Sequence, residues 1–281
     1  SPGEYSSGGA TDNVIHIWQA AAPNIDFLAP DIYFREYSLV DKILDFYRQP
    51  NNALFVAEIG NDQPYARYFF PTLGRGGIGI SPFGMDDTGY TNYPLGAQHY
   101  NGATIAHFAK LYGLLKPMER EWAKLSFEGK VWGVAEPLDG GDLAAKDDAD
   151  VKQKQLNAEQ RAAALTQTLD LGMWNAVVTY GRPMFWIAPP EGNSPPAGGA
   201  LIAQLSENEY LITGFKSRVE LKPSSELDGQ KYMIERVEEG QFDKGRWKMD
   251  RVWNGDQTDW GLNFAEKPHL LRVKMATYQV D

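Results

Sequence analysis

The feature that most constrains this chain is a change of hydrophobic period near residue 129. Before it, apolar residues recur at helical spacing in segments separated by short apolar runs. After it, short strand-like runs bounded by turns follow one another closely. In the first part, a helix is expected from Thr11-Asp12 to about residue 21, with Val14, Ile15, Ile17, Trp18 and Ala21 on one face. A second is expected over 36–48, with Leu39, Val40, Ile43, Leu44 and Tyr47 together. A third spans about 65–73, with Gly74 placed to end it, and a fourth spans 102–115, followed by a turn or two through Trp122 and Leu125. Between these helices, residues 25–34, 54–57 and 78–83 read as buried strands. Strands that alternate with helices at this spacing form βαβ units and a parallel sheet. The closure is either an open doubly wound sheet or a (β/α)₈ barrel. In both, ligands bind at the C-terminal ends of the strands, where all three runs carry their polar residues.

The second part offers strand candidates at 130–135, 176–180, 184–188, 200–205, 210–213, 218–221, 232–237, 246–253 and 270–278. Their density points to an antiparallel β-sandwich over 129–281, with a charged insert at about 136–161. The two expected domains are therefore 1–128 and 129–281.

Charge excludes one large class of function. Lys and Arg total 27 against 37 Asp and Glu, a net charge of -10, and a nucleic-acid binder needs a basic face to displace counterions. No apolar run is long enough to span a bilayer. The absence of Cys removes disulfides, thiolate catalysis and Cys-ligated metals. Aromatic content is high, with 13 Phe, 14 Tyr and 8 Trp. That excess suits rings stacked on a ligand, and it suits a large core equally well.

Several motifs fall away on context. Gly74, Gly76, Gly77 and Gly79 look like a dinucleotide fingerprint, but a helix precedes them and a strand follows, the reverse of the order that brings phosphate to a helix N-terminus. His16, His99, His107 and His269 include no i, i+4 pair, so no catalytic metal is expected, while Asp-rich loops leave a structural calcium open. Ser81, before Pro82, has none of the strand–nucleophile–helix setting of a hydrolase. Carboxylates remain. Glu58 ends an apolar strand, in a position where barrel enzymes place reactive groups; it reads equally as an ordinary strand-end glutamate. Asp31 and Tyr33 end the preceding strand. From there a tyrosine hydroxyl can reach Glu58 and keep it ionised, or simply pack.

The runs NIDFLAPDIYF, ALFVAEIGND and GGIGISPFGMDDTG resemble the last three barrel strands of family-35 glycoside hydrolases, the β-galactosidases, and most of all bacterial members with a C-terminal β-sandwich. The resemblance implies the last three βα units of a TIM barrel over 1–128, followed by the sandwich. It implies that Glu58 is the catalytic nucleophile, with Tyr33, Asp31, Asn61, Phe83 and Asp86 binding substrate. The activity implied is release of terminal β-galactose from oligosaccharides or cell-wall polysaccharides such as xyloglucan, by retaining double displacement and without cofactor or metal. Retention needs two carboxyl groups about 5–5.5 Å apart. The family's acid/base glutamate, preceded by Asn, has no counterpart here, since Asn208-Glu209 lies among the β candidates. The chain thus reads as a piece of a glycosidase whose partner is the N-terminal part of the same barrel, in a secreted, periplasmic or cell-surface protein. The alternative is a non-catalytic carbohydrate-binding or structural module, with Trp247, Trp253 and Trp260 either on an exposed face or in the core.

Overall fold

A computed structural model of the chain describes residues 10–86, 88, 93, 96–99, 101–138, 156–182, 188–227 and 230–279. Most of the expected insert, and nearly all of the candidate strand at 184–188, lie outside the described residues.

The N-terminal part contains helices α1 (Ile15–Ala21) and α2 (Tyr37–Tyr47), the short α3 (Gln63–Ala66) and α4 (Phe69–Gly74), then α5 (Gly102–Leu115) and α6 (Glu119–Phe127). Strands β1 (Asp31–Ile32), β2 (Phe55–Ile59) and β3 (Gly79–Pro82) pair in that order, in parallel. Local chemistry explains the helix starts and faces. Asn101 caps α5 by accepting the Ala103 and Thr104 N–H groups. Val40, Leu44 and Tyr47 form the buried stripe of α2.

The rest of the chain is antiparallel. β4 (Val131–Ala135), β7 (Gly199–Ser206), β8 (Glu209–Phe215), β10 (Gln230–Asp243), β11 (Arg246–Val252) and β13 (Leu270–Gln279) form a six-stranded sheet in the order β11-β10-β13-β8-β7-β4. β5 (Thr166–Asp170), β6 (Trp174–Tyr180), β9 (Ser217–Pro223) and β12 (Leu262–Phe264) form a four-stranded one. α7 (Ala158–Ala164) opens on a capping box between Asn157 and Gln160, and α8 (Gly255–Thr258) opens on another between Asn254 and Gln257.

Alternation along β7 and β8 divides the interior in two. Ala200, Ile202, Tyr210 and Ile212 join Trp174, Val178 and Val219 in a core between the two antiparallel sheets. Leu201, Ala203 and Leu211 point the other way, into a core with Val56, Ile59, Phe70, Phe108 and Trp122. The six-stranded sheet is therefore buried on both faces at its centre.

This architecture corrects the expected fold class. The chain is mainly antiparallel sheet with short helices and one small parallel sheet, and residues 1–128 are not three βα units of a TIM barrel. Two observations overturn that expectation. First, the apolar run at 25–34 pairs as a strand only at Asp31–Ile32. Pro30 has no N–H to donate, and Ile25 and Phe27 are 46% and 38% exposed, where a barrel strand would be buried. Second, α3 and α4 have only four and six residues, and α4 packs on the antiparallel sheet. A Cβ on Gly74 would lie 2.0 Å from the Gly133 nitrogen of β4, and one on Gly133 would lie 2.0 Å from the Phe70 carbonyl oxygen. Gly74 is thus demanded by contact with β4. The left-handed turn after the helix falls on Gly76, with φ of 77°. The helix expected at 65–73 is broken into α3 and α4, with Arg67 and Tyr68 between them.

The close approach of α4 to β4 yields a paired test. Gly133→Ala should lower stability by about 3 kcal/mol through overpacking. Gly113→Ala in α5, where nothing lies within 4 Å of the added methyl, should raise it by about 0.5–1 kcal/mol through helix propensity. Urea midpoints at constant m-value measure both.

Candidate functional site

The parallel pairing of β1 with β2 sets Asp31 opposite Glu58 and Ile32 opposite Ile59. Ile32 and Ile59 are fully buried. Because side chains alternate along a strand, Asp31, Tyr33 and Glu58 stand together on the other face. Tyr33 donates its hydroxyl hydrogen to Glu58 Oε2 at 2.9 Å. The Phe83 ring meets the Tyr33 ring edge-on, with centroids 6.4 Å apart. Asp31, Tyr33, Glu58 and Phe83 therefore form one cluster.

Asn61 is buried beyond the end of β2. Its Oδ1 accepts the Ala97 N–H at 2.7 Å, while its Nδ2 is buried without a partner among the described residues. Asp86 is engaged locally: it accepts the Thr88 hydroxyl and N–H, and these bonds hold its carboxyl below the ordinary range. Among the described residues, no hydrogen bond or ion pair ties Asp86 to the Glu58 cluster.

A second layer escaped the sequence reading. Tyr65 donates to the Tyr33 carbonyl at 2.7 Å, fixing the backbone that presents the Tyr33 hydroxyl. Arg35 lies over the Tyr65 ring at 5.2 Å and pairs with Asp62 at 2.7 Å. Burial pushes the Tyr65 phenol well up, so it stays a neutral donor. The available signal was proximity alone: Arg35 lies two residues beyond Tyr33, and Asp62 follows Asn61.

Electrostatics acts on the Asp31 carboxyl. Burial first, then the Glu58 charge, raises the Asp31 pKa above its ordinary value. Glu58 takes the Tyr33 hydrogen bond on its Oε2. No group of three or more His, Asp or Glu gathers as a metal site among the described residues.

The remaining candidates are committed elsewhere. Asn208 accepts the Trp174 indole N–H and Glu209 accepts from Arg272, both at 2.8 Å. Trp253 is buried against His269; Trp247 packs on Phe242 and donates to Glu238; Trp260 is 39% exposed. The three rings do not share one set of neighbours. His107 is half-buried beside Phe215, and His16 is exposed.

Residues 108–265 match the family model described as Domain of unknown function (DUF5597). The chain belongs to this family. No curated protein matches it. The DUF5597 match begins within α5 and runs through β12, so the Asp31–Tyr33–Glu58 cluster lies N-terminal to the matched residues. No helix among the described residues is long and apolar enough to cross a membrane.

Asp31 supplies a pH test. A carboxyl with a raised folded-state pKa binds more protons folded than unfolded, so its contribution to stability is full below the unfolded value and is lost as pH rises through the folded one. Asp31→Asn should therefore stabilise the protein at neutral pH relative to wild type, with the gain vanishing at about pH 3, below the ordinary aspartate range. Glu58→Gln should bring the Asp31 titration, followed by carboxyl NMR, back toward its ordinary range. An unmoved Asp31 midpoint would refute the coupling.

Proposed function

We propose that this chain carries the nucleophile of a retaining glycoside hydrolase that releases terminal β-galactose from oligosaccharides or cell-wall polysaccharides. The observation that supports this most is the Tyr33 hydroxyl on Glu58 Oε2 at 2.9 Å, with Asp31 facing Glu58 across the strand pair. In this reading the Glu58 carboxylate attacks the anomeric carbon while the bond to the leaving oxygen breaks. Water then attacks the glycosyl–Glu58 ester and restores the carboxylate. Phe83 and the uncommitted Asn61 amide are suited to the sugar ring and its hydroxyls. Asp31 is suited to a hydroxyl contact, because its carboxyl oxygens accept hydrogen bonds. Protonation of the leaving oxygen falls to a glutamate on another segment, as the sequence resemblance implies. No cofactor enters the chemistry, and a polysaccharide substrate would place the protein outside the cytoplasm.

A second reading, a non-catalytic carbohydrate-binding or structural module, draws on a different observation: the DUF5597 match covers the antiparallel part up to β12 and leaves Glu58 out.

A dinitrophenyl 2-deoxy-2-fluoro-β-galactoside separates the two, because its leaving group departs without a proton and the fluorine slows hydrolysis of the ester. Peptide mass spectrometry should find the fluorogalactosyl group on the Glu58 peptide of the wild-type chain and none after Glu58→Gln. In the active enzyme, Glu58→Ala should cost on the order of 10⁴-fold or more in kcat with little change in KM. Azide should restore part of the rate and give an inverted product. Wild-type turnover by Glu58→Ala would eliminate the assignment.

A further inference from the structure

A cleft of about 340 Å³ opens between the end of α5 with the turn after it and the β10–β11 hairpin with the loop before β13. It shares no residue with the Glu58 cluster, and its volume falls within the range of small-ligand sites, about 300–1,000 Å³. Most of its lining lies within the DUF5597 match.

Three features of the wall restrict what fits. First, its charges balance: Lys110 and Lys267 stand against Glu239 and Asp250. A phosphate, a polyanion or a bare cation would meet as much repulsion as attraction. Second, the cleft holds uncommitted hydrogen-bonding atoms. Glu239 Oε2 accepts from Trp253 and Arg251, at 2.8 and 2.6 Å for the shortest contacts, while its Oε1 takes no hydrogen bond from the described residues. Burial alone would push that carboxyl up, but the Trp253 and Arg251 bonds outweigh it and hold it below its ordinary range, ionised. His269 also lines the cleft, between the Trp253 and Phe264 rings with centroids 5.4 and 5.2 Å away; its Nε2 is buried beneath the wall without a partner among the described residues. Burial lowers the His269 pKa, so the ring is neutral at pH 7 and can serve as a hydrogen-bond acceptor as well as a donor. A buried polar atom without a partner asks for one. Third, Met118, Phe242 and Leu270 supply an apolar floor, with Phe242 braced edge-on by Trp247 at 5.5 Å.

We propose that this cleft binds a neutral saccharide unit. A pyranose has an apolar face for the Phe242–Met118 floor. It also has a rim of hydroxyls that both donate and accept, matching the carboxylate, ammonium and amide groups that line the cleft. The site is separate from Glu58 and stands whether or not Glu58 is a nucleophile.

Methyl β-galactoside, methyl β-glucoside and methyl β-xyloside, titrated separately into the full chain, test this by the His269 ring NMR signals and tryptophan fluorescence. Inorganic phosphate serves as the control. At least one glycoside should shift the His269 signals saturably, and phosphate should not. Phe242→Ala and Lys267→Ala should each weaken that binding about tenfold, the scale of one hydrogen bond to a charged group or one lost ring contact. Lys267 is exposed and in no ion pair among the described residues, so Lys267→Ala tests the cleft without threatening the fold. Glu58→Gln should leave the binding unchanged, which separates this site from the catalytic reading. Three results would each overturn the proposal: no response to any glycoside, a response to phosphate as large as that to sugar, or wild-type affinity in both cleft variants.

Discussion

Where α4 crosses β4, neither Gly74 nor Gly133 carries a side chain, and a methyl on either would sit 2.0 Å from backbone atoms of the opposing element. The contact extends along the helix: Phe70 fills the place where a Cβ on Gly199 would be, 2.0 Å from its ring. One turn earlier, the fully buried Arg67 donates to the Glu136 and Leu138 carbonyls just past β4, and to the Arg35 carbonyl just past β1. Glu136 is itself buried and accepts four hydrogen bonds from Asn193, Ala197 and Gly198. A buried guanidinium and a buried carboxylate are tolerated only when so satisfied. The joint ties the loop that carries Tyr33 and Arg35 to the antiparallel sheet, so Tyr33 presents its hydroxyl from a braced backbone.

The same joint explains which parts of the fold could be read from sequence. Local chemistry announced α2 and α5, whose periodicity and breakers are intrinsic to the chain. The runs at 200–205 and 210–213 read as strands because the six-stranded sheet is buried on both faces, which demands nearly continuous apolar residues. Gly74 was read as a helix terminator because its partner, Gly133, is remote in sequence. The run at 25–34 looked like a buried strand because hydrophobicity does not reveal whether a residue has something to pack against. β12 is three residues long and β5 alternates only between exposed and half-buried positions, so neither carries a strong strand signal.

At the candidate site, strand-end position made Asp31, Tyr33 and Glu58 visible, since a polar residue closing an apolar run stands out. The supporting Arg35–Tyr65–Asp62 group did not stand out, because a guanidinium over a phenol is a tertiary arrangement without a spacing rule. The cleft is a still clearer case. Its walls come from residues near 110–118, 239–250 and 267–270, which come together only through the pairing of β10 with both β11 and β13 and the packing of the turn after α5 on β10.

The two polar centres of this chain differ in how they treat charge. In the cleft, acids and bases are equal in number, and Glu239 is neutralised by Arg251 at 2.6 Å. Such an arrangement costs the fold little and leaves hydrogen-bonding capacity for an uncharged partner. At the end of β2, Asp31 is set against Glu58 with no basic group in an ion pair to either among the described residues, and Arg35, the nearest guanidinium in sequence, is engaged by Asp62. Burial first, and then the charge of Glu58, raises the Asp31 pKa, so Asp31 takes up its proton more readily than an ordinary carboxyl. A chain with a net charge of -10 has many surface positions where an extra acid would be harmless. Placing two face to face on a parallel strand pair, under a tyrosine hydroxyl aimed at one of them, is the arrangement that carboxylate chemistry uses and that stability alone would not favour.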